Sequence, residues 1–279
     1  MIRLVADSTI DMSAEMQKQY GVEVMPMSIQ FGDTVYRDGV DITTTEFYNM
    51  LEKAEQLPTT SQLNPAQYEE MFNTAKEAGD EMICLVLSSG LSGTYQSALI
   101  AKDMVDYDGI YVVDTKSATI GSAMLVKMAS EMIESGMPAA KIADELRSLS
   151  GRLRVTAMVD TLKYLKMGGR ISATTAFVGG VLNICPMIAL NTEGKLDTVG
   201  KVKGKIAAQK WLLQKAAEAN VDVSLPMGFA HIRNEDAMNA LKEKAMAEKG
   251  AEDYLCVEIG STIGTHLGPG ALAIAWFEK

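Results

Sequence analysis

Short apolar runs without helical period alternate with amphipathic stretches through the first half of the chain. Residues 2–6, 22–27, 82–87 and 110–113 read as buried strands, and 28–35 continues the second with strand-like alternation. Between them lie helix patterns with start and stop signals. Asp11 or Ser13 can cap a helix through Tyr20. Thr43, Thr44 and Thr45 precede a helix with Phe47, Met50, Leu51 and Ala54 on one face. Asn64 caps and Pro65 opens a helix whose inner face holds Tyr68, Phe72 and Ala75 and which Gly79 can end. Further helices run to about Val105, over 118–134, and from Pro138 to near Gly151. Strand alternating with helix predicts a Rossmann-like parallel sheet with helices on both faces.

After Gly151 the pattern changes. Residues 153–159 alternate like a half-exposed strand, and a glycine-rich helical stretch follows. Strands are expected near 187–190, 195–199, 227–232, 254–259 and 271–276. Helices are expected over 201–219, with Val202, Ile206, Leu213 and Ala217 inward, and over 235–249, capped by Asn234. Fewer helices per strand predict an α+β domain with a mixed or antiparallel sheet. The expected class is two-domain α/β, with a 1–151 N-terminal domain and a 152–279 C-terminal domain.

With 47% apolar and 22% charged residues over 279 positions, such a chain can build its core without disulfides or metal. Cys84, Cys185 and Cys256 are far apart, lack CxxC spacing and sit in apolar runs, as unpaired thiols of a reducing compartment would. The first apolar run is too short for a signal peptide. The longest, 176–190, is broken by Asn183, Pro186 and two glycines, and falls short of the roughly 20 residues of a membrane helix. These features predict a cytoplasmic protein without stable membrane insertion. A net charge of −10 argues against nucleic acid as a partner. The 19 methionines fit either a loosely specified core or a cavity for an adaptable apolar ligand.

The densest chemistry lies between the 82–87 strand and the next helix. Residues 88–97, SSGLSGTYQS, hold five serines and threonines in ten positions. A helix start offers unpaired backbone N–H groups and partial positive charge, and Ser92, Gly93 and Thr94 would add donors and close approach for a small anion. Plain capping by Ser92 is the competing account. No GKS or GKT follows, so a lone carboxylate suits the loop better than a triphosphate. Thr59, Thr60, Ser61 and Gln62 form a second hydroxyl cluster, which alone reads as a polar loop. His231 lies inside an apolar strand and reads as structural. His266, in the glycine-rich 264–270 turn, and Arg170, after Gly168 and Gly169, are loop cations that can complete an anion site. The run 195–215 carries six lysines, including Lys201, Lys203 and Lys205, against Asp197 alone. It is either a solvated face or a docking patch for an acidic partner.

The start Val5-Ala6-Asp7-Ser8-Thr9, the Thr59–Gln62 and Ser89–Ala98 segments, Gly168-Gly169-Arg170-Ile171 and the 264–270 turn with His266 together resemble the DegV family of fatty-acid-binding proteins, in order and over nearly the whole chain. The resemblance implies that the protein is a non-catalytic carrier without cofactor, with a buried acyl chain and its carboxylate at the domain interface. Thr60 and Ser92 would bind the carboxylate, with Ser61, Gly93 and Thr94 beside them and Arg170 and His266 nearby. It also implies a fatty acid kinase catalytic subunit as partner, docking at Lys201, Lys203 and Lys205; Lys203 stands where the family has an arginine, and lysine makes no bidentate fork. The 176–190 run, with Phe177, Val178, Leu182, Ile184, Met187 and Ile188, is either acyl-cavity lining or a packed core helix. At ~0.8 kcal/mol per buried methylene, a chain of about 14 to 18 carbons gains on the order of 12 kcal/mol before costs. Two other readings remain: a serine hydrolase using Ser92 and His266 with Asp7 or Asp114, and a phosphate or nucleotide sensor at the same helix start.

Overall fold

Strand and helix follow one another much as the apolar pattern predicts. The computed structural model describes residues 1–171 and 183–279. Its first half comprises β1 (Ile2–Asp7), α1 (Ala14–Gln19), β2 (Val22–Met25), β3 (Ser28–Phe31), β4 (Thr34–Arg37), α2 (Thr44–Lys53), β5 (Thr59–Ser61), α3 (Pro65–Ala78), β6 (Glu81–Val86), α4 (Thr94–Val105), β7 (Ile110–Asp114), α5 (Thr119–Glu134) and α6 (Ala139–Arg152). The second half comprises β8 (Leu153–Met158), α7 (Lys163–Met167), β9 (Ile184–Leu190), β10 (Leu196–Lys203), α8 (Lys205–Glu218), β11 (Met227–His231), α9 (Glu235–Lys249), β12 (Tyr254–Glu258), α10 (Ser261–Leu267) and β13 (Leu272–Phe277).

β2-β1-β6-β7 form a parallel sheet. β10-β9-β8-β13-β11-β12 form a mixed sheet, parallel only between β11 and β12. β4-β3-β5 form a small antiparallel sheet. The class is therefore the expected mixed α/β. Capping follows the sequence signals. Asn64 and Gln67 close a capping box on α3, and Gly79 ends it at φ 67°. Thr43 and Glu46 do the same at the start of α2. Asn234 departs from expectation: it precedes α9 without a side-chain cap, and its N–H donates to Nδ1 of buried His231.

α5 joins the layers. Eleven of its 16 residues are buried, and it packs on β1 and β6 on one side and on β11 and β12 on the other. Gly228 of β11 permits this approach, since a Cβ there would lie 2.5 Å from side-chain atoms of Ile120 and Met124. One apolar cluster consequently runs without interruption from Leu4 and Leu85 through Ile120 and Met124 to Val257 and Phe277.

The remaining departures are local. Residues 153–158 are mostly buried, because β8 lies inside the six-stranded sheet rather than at its surface. The helix expected from 201 begins at Lys205. Lys201 and Lys203 belong to β10, whose pairing with β9 continues to Lys203 opposite Ile184. Gly204 then turns the chain at φ 89°. The helix accordingly buries Ala208, Leu212 and Ala216, while Ile206 is 74% exposed. The Thr59–Gln62 cluster is not all loop, because Thr59–Ser61 pairs with β3. Residues 261–267 fold as α10, so His266 stands on a helix. The three cysteines are unpaired, two buried and Cys256 half-buried. Among the described residues, no helix is long and apolar enough to cross a membrane.

Candidate functional site

A cavity of about 370 Å³ opens between the two halves of the molecule, within the size range of small-ligand sites. Its walls are apolar: Val155 and Ala157 of β8, Ile188 and Leu190 of β9, Leu196 of β10 and Ala273 of β13. Its polar lining includes Thr60, Ser61, Ser92, Arg170 and His266. Five side chains from four separate stretches of sequence thus share one cavity.

Secondary structure explains how they meet. Thr60 is held at β5 by pairing with Ile29. His266 lies in the last turn of α10, and its Nε2 is 2.9 Å from Thr60 Oγ1. The ring fits because residue 168 is glycine: a Cβ there would come 2.3 Å from His266 Nδ1. Arg170 follows α7, donates from Nε to the carbonyl of Leu91 at 3.2 Å and from Nη1 to that of Gly168. It thereby ties the second half of the chain to the Ser92 loop. Ser92 Oγ is 2.8 Å from Thr94 Oγ1 and accepts from the Thr94 N–H at 3.3 Å. Gly93 is the residue before α4 and supplies no side-chain cap. A Cβ on it would meet Gln62 Oε1 at 2.5 Å, so the two hydroxyl clusters pack directly against each other. Thr94 is fully buried behind Ser92.

Burial, and secondarily the Arg170 charge, push the His266 imidazole down to about 4, so it is neutral at pH 7. Arg170 then supplies the fixed positive charge, and hydroxyls and α4 amides supply neutral donors. Such an end wall can hold one small anion while the rest of the cavity accepts apolar groups.

The hydrolase arrangement is not assembled. The Asp7 carboxylate accepts from Thr9 and from the Leu87 N–H, and that of Asp114 from Ser89 and the Lys116 N–H. Among the described residues the buried His266 Nδ1 has no hydrogen-bond partner, so no carboxylate of theirs orients the ring. Lys203 and Lys205 line a shallow surface recess elsewhere, with Lys210, and Lys205 pairs with Asp160 at 2.9 Å. Of the 176–190 run, Phe177, Val178 and Leu182 lie outside the described residues. Ile188 lines the cavity, whereas Met187 points into the other face's core, as strand alternation requires. The sequence names Gly168 only as part of the motif around Arg170; its role is the room it leaves for an imidazole 98 positions away. Its adjacency to Gly169 and Arg170 was the available signal.

A family model described as "Uncharacterised protein, DegV family" matches residues 1–279. A DegV domain-containing protein of Caldanaerobacter subterraneus is 35% identical over 279 residues, covering 100% of this chain and 99% of the relative. Among solved structures, a fatty-acid-binding DegV family protein of Thermus thermophilus superposes with a TM-score of 0.88 at 33% identity, covering 100% of this chain and 99% of that one. A stearic acid-binding protein of Eubacterium ventriosum does so with a TM-score of 0.88 at 28% identity and the same coverage.

Proposed function

This chain belongs to the DegV family, and from that premise we propose that it binds one long-chain fatty acid and carries it without catalysing a reaction. The carboxylate accepts hydrogen bonds from Thr60 and Ser92, with Ser61, Gly93 and Thr94 shaping the approach and Arg170 and His266 completing the pole. The acyl chain extends along Val155, Ala157, Ile188 and Leu190. The observation carrying this reading is the single cavity that joins a hydroxyl-and-arginine end to long apolar walls. The fatty acids bound by the Thermus thermophilus and Eubacterium ventriosum proteins support it.

The finer reading has the protein present the carboxylate to a cytoplasmic fatty acid kinase, which would phosphorylate it. Lys201, Lys203 and Lys205, all exposed at the end of β10 and the start of α8, form the docking patch for that subunit. Residues 1–151 and 152–279 act as the two domains that grip the ligand between them.

Native mass spectrometry before and after organic extraction tests the ligand class. One fatty acid of long-chain mass per protein supports the reading. A protein that is empty and also ignores added palmitate and oleate overturns it. Uptake of phosphate in their place moves the anion-sensor reading forward.

A further inference from the structure

The two walls of the cavity touch at a junction whose residues, Ser88, Gly90 and Gly194, do not themselves line it. Ser88, fully buried just after β6, donates from Oγ to the carbonyl of Gly194 at 2.7 Å and accepts from the Gly90 N–H at 3.1 Å. Gly194 sits in the turn joining β9 to β10, at φ 72°, where L side chains are strained. A Cβ on Gly194 would lie 2.1 Å from Ser88 Oγ, and a Cβ on Gly90 would lie 2.7 Å from the Gly194 carbonyl oxygen. Backbone therefore rests on backbone, with one hydroxyl pinning the contact.

The same two segments carry the cavity walls. Leu91 and Ser92 follow Gly90, while Leu190 and Leu196 flank the turn. β9 pairs with β8 through Met187, Ile188 and Ala189. The hairpin tip beyond Ala189 overhangs that pairing, and β10 is the edge strand of its sheet. The Ser88 hydrogen bond fastens this overhang to the first half of the chain. A single neutral hydrogen bond is a weak fastening that opens and recloses readily.

We propose that the Ser88–Gly194 junction is a latch: the tip of the β9–β10 hairpin parts from the Ser88–Gly90 loop to let an acyl chain in or out. The proposal rests on the fatty-acid reading. Ser88, Gly90 and Gly194 set the rate of passage, and the carboxylate-binding groups set the affinity. A latch lies on the path of both entry and release, so loosening it speeds both and leaves their ratio nearly unchanged.

Stopped-flow fluorescence with cis-parinaric acid tests this on the full chain, measuring uptake by stripped protein and release into phosphatidylcholine vesicles. Ser88→Ala should accelerate both rates several-fold with Kd held within about twofold. Gly194→Ala should accelerate them by about tenfold or more. The double variant should be slower than Gly194→Ala alone, because removing the Ser88 hydroxyl gives the new methyl group room. Ser88→Cys serves as a milder variant should Gly194→Ala fail to fold. Rates unchanged in Ser88→Ala, or release accelerated while entry stays constant, overturn the latch and leave fatty-acid binding intact. A wild-type chain that takes up no probe overturns the fatty-acid reading and the latch with it.

Discussion

Thr60 Oγ1 and His266 Nε2 stand 2.9 Å apart across 206 positions of sequence, joining the β5 edge strand to α10 in the polar lining of the cavity. Because the imidazole is neutral at pH 7, this pair acts as a hydrogen-bonding unit rather than a charge. Thr60→Val should weaken palmitate binding by about 1–3 kcal/mol, since it removes a donor and strands the ring nitrogen. Titration calorimetry on the stripped protein reads this directly, and an unaltered Kd would remove Thr60 from the site.

Ser92→Ala should cost about 1.5–3 kcal/mol of affinity if Ser92 donates to a carboxylate. The fold should persist with only a small loss of stability: Gly93 rather than Ser92 precedes α4, and what the substitution removes is the partner of the Thr94 hydroxyl and N–H. Circular dichroism should therefore report a ligand-free melting point close to that of wild type. A large drop in melting point with unchanged binding would mark Ser92 as structural.

His266 gives a pH signature of definite sign. The folded protein holds the ring unprotonated to about pH 4, against an ordinary value of 6.5. The unfolded chain therefore takes up a proton first, and stability falls as pH drops from about 6.5 to about 4. Above 6.5 this contribution is fully present. Asp7 and Asp11, buried and raised above the usual carboxylate range, act in the opposite sense: the folded state takes up their protons first, so their contribution to stability rises as pH falls through their raised values towards 3.8. Subtracting the pH–stability profile of His266→Gln from that of wild type isolates the imidazole. A flat difference between pH 4 and 6.5 would contradict the buried neutral ring.

Ala157 is a buried, small wall residue of the cavity. Ala157→Leu should shorten the usable cavity and shift preference from longer to shorter acids, at a packing cost of about 1–3 kcal/mol. Competition among myristate, palmitate and stearate, read by native mass spectrometry, checks this. An unchanged preference would mean that the acyl chain does not reach β8.

Lys203→Glu should leave palmitate affinity unchanged, since Lys203 lines a surface recess rather than the cavity. It should slow phosphorylation of the bound acid by a cognate kinase. Equal rates with the variant would place docking elsewhere.

Elements with strong local signals were legible in the sequence: the helix start at Asn64 and Pro65 and the apolar β6 lie where pattern and capping put them, whereas α4 is preceded by Gly93 without a side-chain cap rather than capped by Ser92. Errors arose where tertiary pairing overrode local propensity. The lysine-rich stretch to Lys203 looks helical by composition but is held in β10 by β9, and the glycines around His266 look like a turn although 261–267 is helical. The site residues were nameable singly from their chemistry. Their convergence was not, because no local rule brings Thr60 to His266 or Arg170 to Leu91.

The apolar cluster that runs unbroken from Leu4 to Phe277 makes the two sheets thermodynamically one body. Calorimetry of the ligand-free chain should give a single endotherm whose van't Hoff and calorimetric enthalpies agree. Truncation between the halves would leave each fragment with half of a torn interior, so neither should melt cooperatively alone.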